Sequence, residues 1–394
     1  MTLKALSARE GQAFLLVLMV MPVLLVLTLS LGTLIQHQYQ NVFKEEYFLR
    51  AFNAAETGIE MTIAGIMGEA CWYETFPQSG PDGNYTGVFE ETAINGGASF
   101  EVDAQKQQED IGISMRIKSV GRYRTGSGET EAQKTLLSTV GTFEAGDYLR
   151  GLTVLPHEPA NLAFDGNLIL DGDLLVNGDA GITGSTEIYG VVYASRGVTE
   201  TWPGNKYPGY LFIPPFPEID ANYYLNKAET AGNVFHTDMS FKNWDTAAEK
   251  TEGAGKVYDT EDGGIYFVNG DITIGGNYRG AALFFATGNI TVTESLTPVT
   301  GGPDTGAGLP ALVAMGDVDI RDHTVFANLL AGGCLRALGG ASLHGSACAR
   351  GVDFRGGAST GVIRIQRQEK QVPLQEFIPL TAKILEWKEL YPVF

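Results

Sequence analysis

Histidine and cysteine are too few and too scattered in this chain to suggest a metal centre. His37, His157, His236, His323 and His344 share no close motif, and Cys71, Cys334 and Cys348 make no Cys-x-x-Cys pair, so zinc is not expected. Neither His-Glu-x-x-His nor Gly-x-Ser-x-Gly occurs, and nothing points to a cofactor. Basic residues are also in deficit. Lys and Arg number 27 against 46 Asp and Glu, a formal charge of -19, and without a basic stripe to neutralise phosphates nucleic acid is disfavoured as a partner. The 50 glycines follow no Gly-x-y period, which excludes collagen and leaves repeated tight turns as their reason.

Charge is absent altogether from Ala13 to Ile35, 23 residues that include Pro22. As a helix this run covers about 35 Å, enough for a hydrocarbon core of roughly 30 Å. It is longer than a signal-peptide core and is followed by Gln36 to Gln40, with no small-x-small cleavage site, so it reads as a retained anchor. Lys4 and Arg9 lie on the short side, which puts that side in the cytoplasm and the bulk of the chain outside. Beyond the span, Phe43, Tyr47, Ala51, Ala55, Ile59, Ile63 and Met67 recur every fourth residue. One amphipathic helix is therefore expected over about 12–70, with the transmembrane span at 13–35.

The stretch from Glu10-Gly11-Gln12-Ala13-Phe14 through the apolar run, together with Arg50-Ala-Phe-Asn-Ala-Ala-Glu-Thr-Gly58-Ile-Glu60, resembles the amino terminus of PilX-like minor pilins of type IV pili. The resemblance covers about residues 1 to 65. It implies a leader at 1–11, cut by a prepilin peptidase after Gly11 to leave Gln12 as the first mature residue. It also implies partnership with other pilin-like subunits through the helix. Major pilins usually carry a glutamate at the fifth mature position, which is Leu16 here, so the likeness is to minor or tip members.

Residues 71–150 read as a loop, a short strand at Val88 to Thr92, and alternating runs at Ala98 to Ala104, Ile111 to Gly121 and Thr130 to Phe143. Such a sheet needs one face covered, and the outer helix is its nearest partner. From 151 to 370 very short strands close on Asp-Gly or Asn-Gly at intervals near six residues, as in Asn167-Leu-Ile-Leu-Asp-Gly and Asp173-Leu-Leu-Val-Asn-Gly. This suits a parallel β-helix, with a sandwich or jelly roll as the alternative. The repeats also loosely resemble bactofilin-like polymer-forming domains. Insertions are expected at 200–262, with a short helix from Pro217, and at 294–310. A capping helix is expected at 371–394, with Ile384, Leu385, Trp387 and Leu390 as its candidate buried residues. The fold class is thus α+β then all-β.

Cys334 and Cys348, 14 residues apart, could form a disulfide between adjacent coils, leaving Cys71 over. Carboxylates at Asp165, Asp171, Asp173 and Asp179, or at Asp317, Asp319 and Asp322, would suit a polysaccharide-active face. Asp beside Gly is more simply a turn residue. Trp202, Tyr207, Tyr210 and Trp244 in the first insertion are candidate surface-binding aromatics. These readings combine into a non-enzymatic pilin-like subunit, minor or tip-located. It would be single-pass in the cytoplasmic membrane before assembly and at the cell surface or in a pilus afterwards, displaying a β-helix to a polysaccharide or protein ligand. The alternatives are a membrane-anchored carbohydrate-binding or carbohydrate-active β-helix protein and a plain structural anchor.

Overall fold

A computed structural model of the chain describes residues 3–68, 86–126, 128–164, 168–199, 201–245, 264–279, 282–298, 309–355, 361–368 and 381–390. The loop at 71–85 with Cys71, the turn region from Glu249 to Lys256, residues 299–308 of the second insertion and residues 371–380 lie outside them.

The helix α1 runs unbroken from Leu3 to Gly68, 66 residues that extend about 100 Å, and continues through Pro22. It is long and apolar enough to cross a membrane. From Ala51 onwards one face is covered: Ala51, Ala54, Ala55, Gly58, Ile59, Thr62 and Ile66 are buried, at steps of three and four. The expected every-fourth-residue stripe is only partly right. Four residues turn a helix through 400°, so such a stripe drifts about 40° per step, and Phe43 and Met67 at its ends are exposed.

Strands β1 (Thr86–Ala93), β2 (Ala98–Gln108), β3 (Ile113–Arg124) and β4 (Thr130–Phe143) form an antiparallel meander against that face. The seam between helix and sheet is built from small residues. A Cβ on Gly121 of β3 would stand 1.9 Å from the Ala51 carbonyl oxygen and 2.5 Å from the Ala55 nitrogen. A Cβ on Gly58 would stand 2.5 Å from Ser119 Oγ. The backbones approach closely at Ala51 and Ala55, where the Ala-Ala-Glu-Thr-Gly segment begins. Beside it, Tyr47 stacks on Tyr123 at 4.9 Å and the Arg50 guanidinium lies over the same ring at 5.2 Å.

The expected terminal capping helix is not formed. Residues Thr381–Leu390 are instead a strand, antiparallel to β4, that completes the sheet in the order β1-β2-β3-β4-terminal strand. Ile384, Trp387 and Leu390, expected to be buried, are exposed on this edge strand, and the helical spacing of Ile384 and Trp387 comes from a β-bulge. Ile384 pairs with Val140 and Trp387 with Ser138, so residues three apart fall on the same face where a regular strand would need two. Lys134 pairs with Glu389, and the Tyr148 hydroxyl bonds Thr381 Oγ1, fixing both ends of the strand.

Everything between β4 and the terminal strand is therefore an insertion into this sheet, and it is a parallel β-solenoid. One face stacks ten strands: Val234–Phe235, Gly264–Val268, Ala282–Ala286, Ala311–Ala314, the first parts of Asn328–Leu338 and Ala347–Arg355, then Gly151–Val154, Asp173–Val176, Val192–Ala194 and Lys206–Pro208. At about 4.8 Å per step the stack is roughly 43 Å tall. Its order is not the chain order. The chain enters at Gly151 in the interior of the stack, builds outward to Lys206–Pro208, and crosses to the far end through residues 209–233. It restarts at Val234 and coils back until Ala347–Ala349 pairs with Leu152–Val154 and Ile363–Gln366 pairs with Leu168–Asp171.

Within the first expected insertion, 200–262, residues 246–262 lie outside the described residues, and the described part departs from the coils less than expected. Lys206–Pro208, Val234–Phe235 and Met239–Asp245 are coil strands, and only 209–233 is a strap. The strap carries Ala221–Ala231, the second longest helix described, which is started by Asp220 accepting the Asn222 N–H at 2.9 Å and ended by Gly232 in the left-handed region. In the second insertion, Ile290–Pro298 is likewise a coil strand. The strap covers the outer side of the ten-strand face, packing Tyr210, Phe212, Ile213, Phe216, Tyr224 and Ala228 around Tyr193, Phe267, Phe285, Val313, Leu330 and Cys348. Inner strands of that face are buried on both sides and so read as continuous apolar runs, such as Ala282-Leu-Phe-Phe-Ala286 and Ala311-Leu-Val-Ala314.

Candidate binding surface of the solenoid

The positions where the chain enters and leaves the solenoid adjoin at Gly172. Arg150 O accepts the Asp173 N–H at 2.8 Å, and Asp171 O accepts the Arg367 N–H at 2.9 Å. The junction with the sheet is held by Asp147. Its carboxylate accepts the Gly112 and Glu144 N–H groups at 3.0 and 2.9 Å and lies 3.5 Å from Arg150, which also reaches Asp173 at 3.7 Å. Burial raises the Asp147 pKa despite these donors. Lys383 of the terminal strand donates to Ile213 O of the strap at 3.2 Å, and burial lowers its pKa.

Of the carboxylates weighed as a polysaccharide-active face, Asp171 is exposed, whereas Asp173, Asp179 and Asp317 act within the coils. Asp173 Oδ1 accepts the Val191 N–H at 2.9 Å, Asp179 Oδ1 the Gly197 N–H at 2.8 Å, and Asp317 Oδ1 the Cys334 N–H at 2.7 Å. Asp271, Asn289 and Asn328 do the same for Asn289, Asp317 and Ser346. Each such side chain thus bonds the backbone of the next coil at the same corner, which is why Asp and Asn recur beside Gly. Asp319 bonds the Arg321 N–H, and Asp322 lies 3.9 Å from His323. Asp165 lies outside the described residues. Among the described residues no group of three or more His, Cys, Asp or Glu side chains is arranged to hold a metal ion.

The expected Cys334–Cys348 bond is not made, and both thiols are free. The residues are on adjacent coils, but Cys334 pairs in register with Gly351 and Cys348 with Leu330, so they are offset along the ladder. Cys348 is fully buried under the strap, and burial raises its pKa strongly. Spacing in sequence identified adjacent coils correctly and missed the register.

The four aromatics do not form one patch. Tyr207 and Tyr210 gather around Tyr193, at 5.3 and 4.9 Å between ring centroids, where the strap leaves the last coil. Burial pushes the Tyr193 hydroxyl up to about 12. Trp202 lies on the terminal coil, and Trp244 is in a strand at the opposite end of the stack. Gly11 and Gln12 are in the first turns of α1.

Trp202 borders the feature that sequence reading did not single out, an open cavity of about 690 Å³ at the end of the solenoid. One wall is the turn of the preceding coil, Thr183 to Tyr189; the other is Thr201-Trp202-Pro203-Gly204 of the terminal coil. The Trp202 ring lies so close to Gly204 that a Cβ there would stand 2.2 Å from it. Lys206 Nζ clamps this turn by donating to Thr199 O and Trp202 O at 3.0 and 3.1 Å. Tyr189 is 69% exposed, and its hydroxyl donates to Glu187 Oε2 at 2.6 Å. The Gly-Ser-Thr-Glu-Ile-Tyr run contains these residues, but only coil stacking brings them opposite Trp202.

No family model and no curated protein matches the sequence. Among solved structures, the crystal structure of competence-associated pilin ComZ from Thermus thermophilus is similar over 87% of this chain and 97% of that one, at 15% identity and a TM-score of 0.37, a superposition too loose to transfer fold or function.

Proposed function

We propose that the chain is a pilin-like, non-enzymatic structural subunit of a type IV pilus or related surface filament, in a minor or tip position, that displays its solenoid as an adhesion or interaction domain. The observation that carries this reading is the division of α1. Its outer part is covered by the meander, whereas residues 18–35 are exposed, uncharged and crowded with Leu, Val and Met, including Met19 at 70% and Leu31 at 63% exposure. Such a surface is stable only in lipid or against other apolar helices, and a filament core supplies the second when the first is left. In this reading prepilin peptidase cuts between Gly11 and Gln12, and the carboxy-terminal bulk faces outward.

The bulk of the solenoid supports a low-copy position, because a shaft subunit must repeat its whole volume every few ångströms. Amino-terminal analysis of protein sheared from intact cells tests the proposal. A mature start at Gln12 in the sheared fraction is expected; intact Met1, recovered from membranes only, overturns it.

A further inference from the structure

We propose that the cavity at the end of the solenoid is a binding site for a short neutral oligosaccharide, resting on the reading above that the solenoid is the displayed part of the chain. The side chains around it combine what a pyranose presents: apolar C–H faces and hydroxyl edges. Trp202 and Tyr189 are large, flat and amphipathic, and both are held in place, Trp202 by Gly204 and the core beneath it and Tyr189 by Glu187. Thr183 and Thr201 are exposed at the rim and offer hydroxyls that both donate and accept; the Glu187 carboxylate accepts. The volume falls within the roughly 300–1,000 Å³ of small-ligand sites.

Charge decides between sugar classes. Glu187 stands in the wall, among the described residues no cationic side chain lines the cavity, and the chain carries -19 overall, so an anionic polymer is repelled. The site is also built on rigid supports, since Tyr189 N–H is bonded to Leu170 O of the preceding coil and Thr199 Oγ1 accepts the Ile182 N–H at 2.8 Å. Pre-organisation of this kind limits the entropy lost when a flexible sugar binds.

The test is calorimetric titration of the purified full chain, in lauryldimethylamine oxide micelles that present no sugar headgroup, with maltotriose, cellotriose and chitotriose. Saturable binding of at least one trisaccharide at millimolar or lower concentration is expected. Tyr189→Ala, at an exposed position that leaves the coil intact, should weaken it by about ten-fold, and Tyr207→Ala, outside the cavity, should leave it unchanged. Absence of binding by all three probes up to about 10 mM, or a Tyr189→Ala protein that binds like the parent, overturns the proposal. Because purified protein is used, the result is independent of the sheared-fraction experiment, and either idea can fail alone.

Discussion

Gly121→Ala is the sharpest perturbation of the helix–sheet seam. The added methyl would sit 1.9 Å from Ala51 O and 2.5 Å from Ala55 N, both backbone atoms that cannot rotate away. To restore an ordinary contact α1 must retreat by about 1.5 Å, and a gap of 0.5–1 Å already forfeits a quarter to a half of each dispersion contact. The loss falls on the fully enclosed cluster of Ala55, Ile59, Phe100, Val102, Met115, Ile117 and Leu136. Overpacking costs about 1–3 kcal/mol in general, and a backbone obstacle places this substitution near 3. The three atoms nearest a methyl at Gly58→Ala belong to the side chains of Ser119, Val102 and Phe100, and the change gains helix propensity, so about 1 kcal/mol is expected. Gly146→Ala, with nothing within 4 Å, should be neutral or slightly stabilising. Denaturant unfolding of the full chain in micelles, with hydrogen exchange at residues 51–66, reads the series. A Gly121→Ala protein with the parental midpoint and undiminished exchange protection would refute the close-approach argument.

Asp317→Asn keeps an acceptor for the Cys334 N–H and should shift the melting temperature little, while Asp317→Ala, which leaves that N–H without it, should cost about 1–2 kcal/mol; the exposed Arg336 ion pair is lost in both. Equal losses in thermal unfolding would contradict the corner role of the carboxylates. Non-reducing denaturation followed by alkylation and peptide mass analysis should label both Cys334 and Cys348; recovery of a linked peptide would refute the observed register. His344, half-buried and stacked on Phe326 at 4.1 Å, has its pKa lowered by burial. The unfolded chain then binds the proton more readily, so solenoid stability is full above the unfolded value near 6.5 and falls as pH drops towards the lowered folded value. Thermal midpoints measured from about pH 7.5 down to 5 should show this loss, and His344→Phe should flatten it; an unchanged slope would show that another group is responsible.

The sequence made the helix, the meander and the solenoid legible because each has a period that burial enforces locally. The Asp-Gly and Asn-Gly corners were equally visible, since the same side chain bonds the next coil at each repeat. What could not be read is what depends on order in space. Trp387 and Ile384 look helical because one bulge adds a residue, and only the open edge of β4 decides for a strand. The strap is a Pro-rich stretch in sequence, and nothing local to Pro214 or Phe216 shows that it spans the stack. Cys334 and Cys348 were correctly placed on neighbouring coils, but a ladder shift at Ala331 to Cys334 fixes their offset. Trp202 stands out as an aromatic of the first insertion, whereas its partners Glu187 and Tyr189 belong to the preceding coil.

The reordering of coils has a mechanical consequence for how the domain is carried. A solenoid threaded in simple order would leave its chain ends at opposite ends of the stack, roughly 43 Å apart, and could not be inserted into a hairpin connection of a small sheet. Here the strap at 209–233 returns the chain to the far end, so that the last coils descend onto the first and both ends meet beside Gly172. Insertion between adjacent strands is then geometrically free, as it is for any domain whose termini adjoin. The same strap buries the outer side of the ten-strand face that would otherwise be an exposed apolar sheet. One segment thus solves both the topological and the solvation problem.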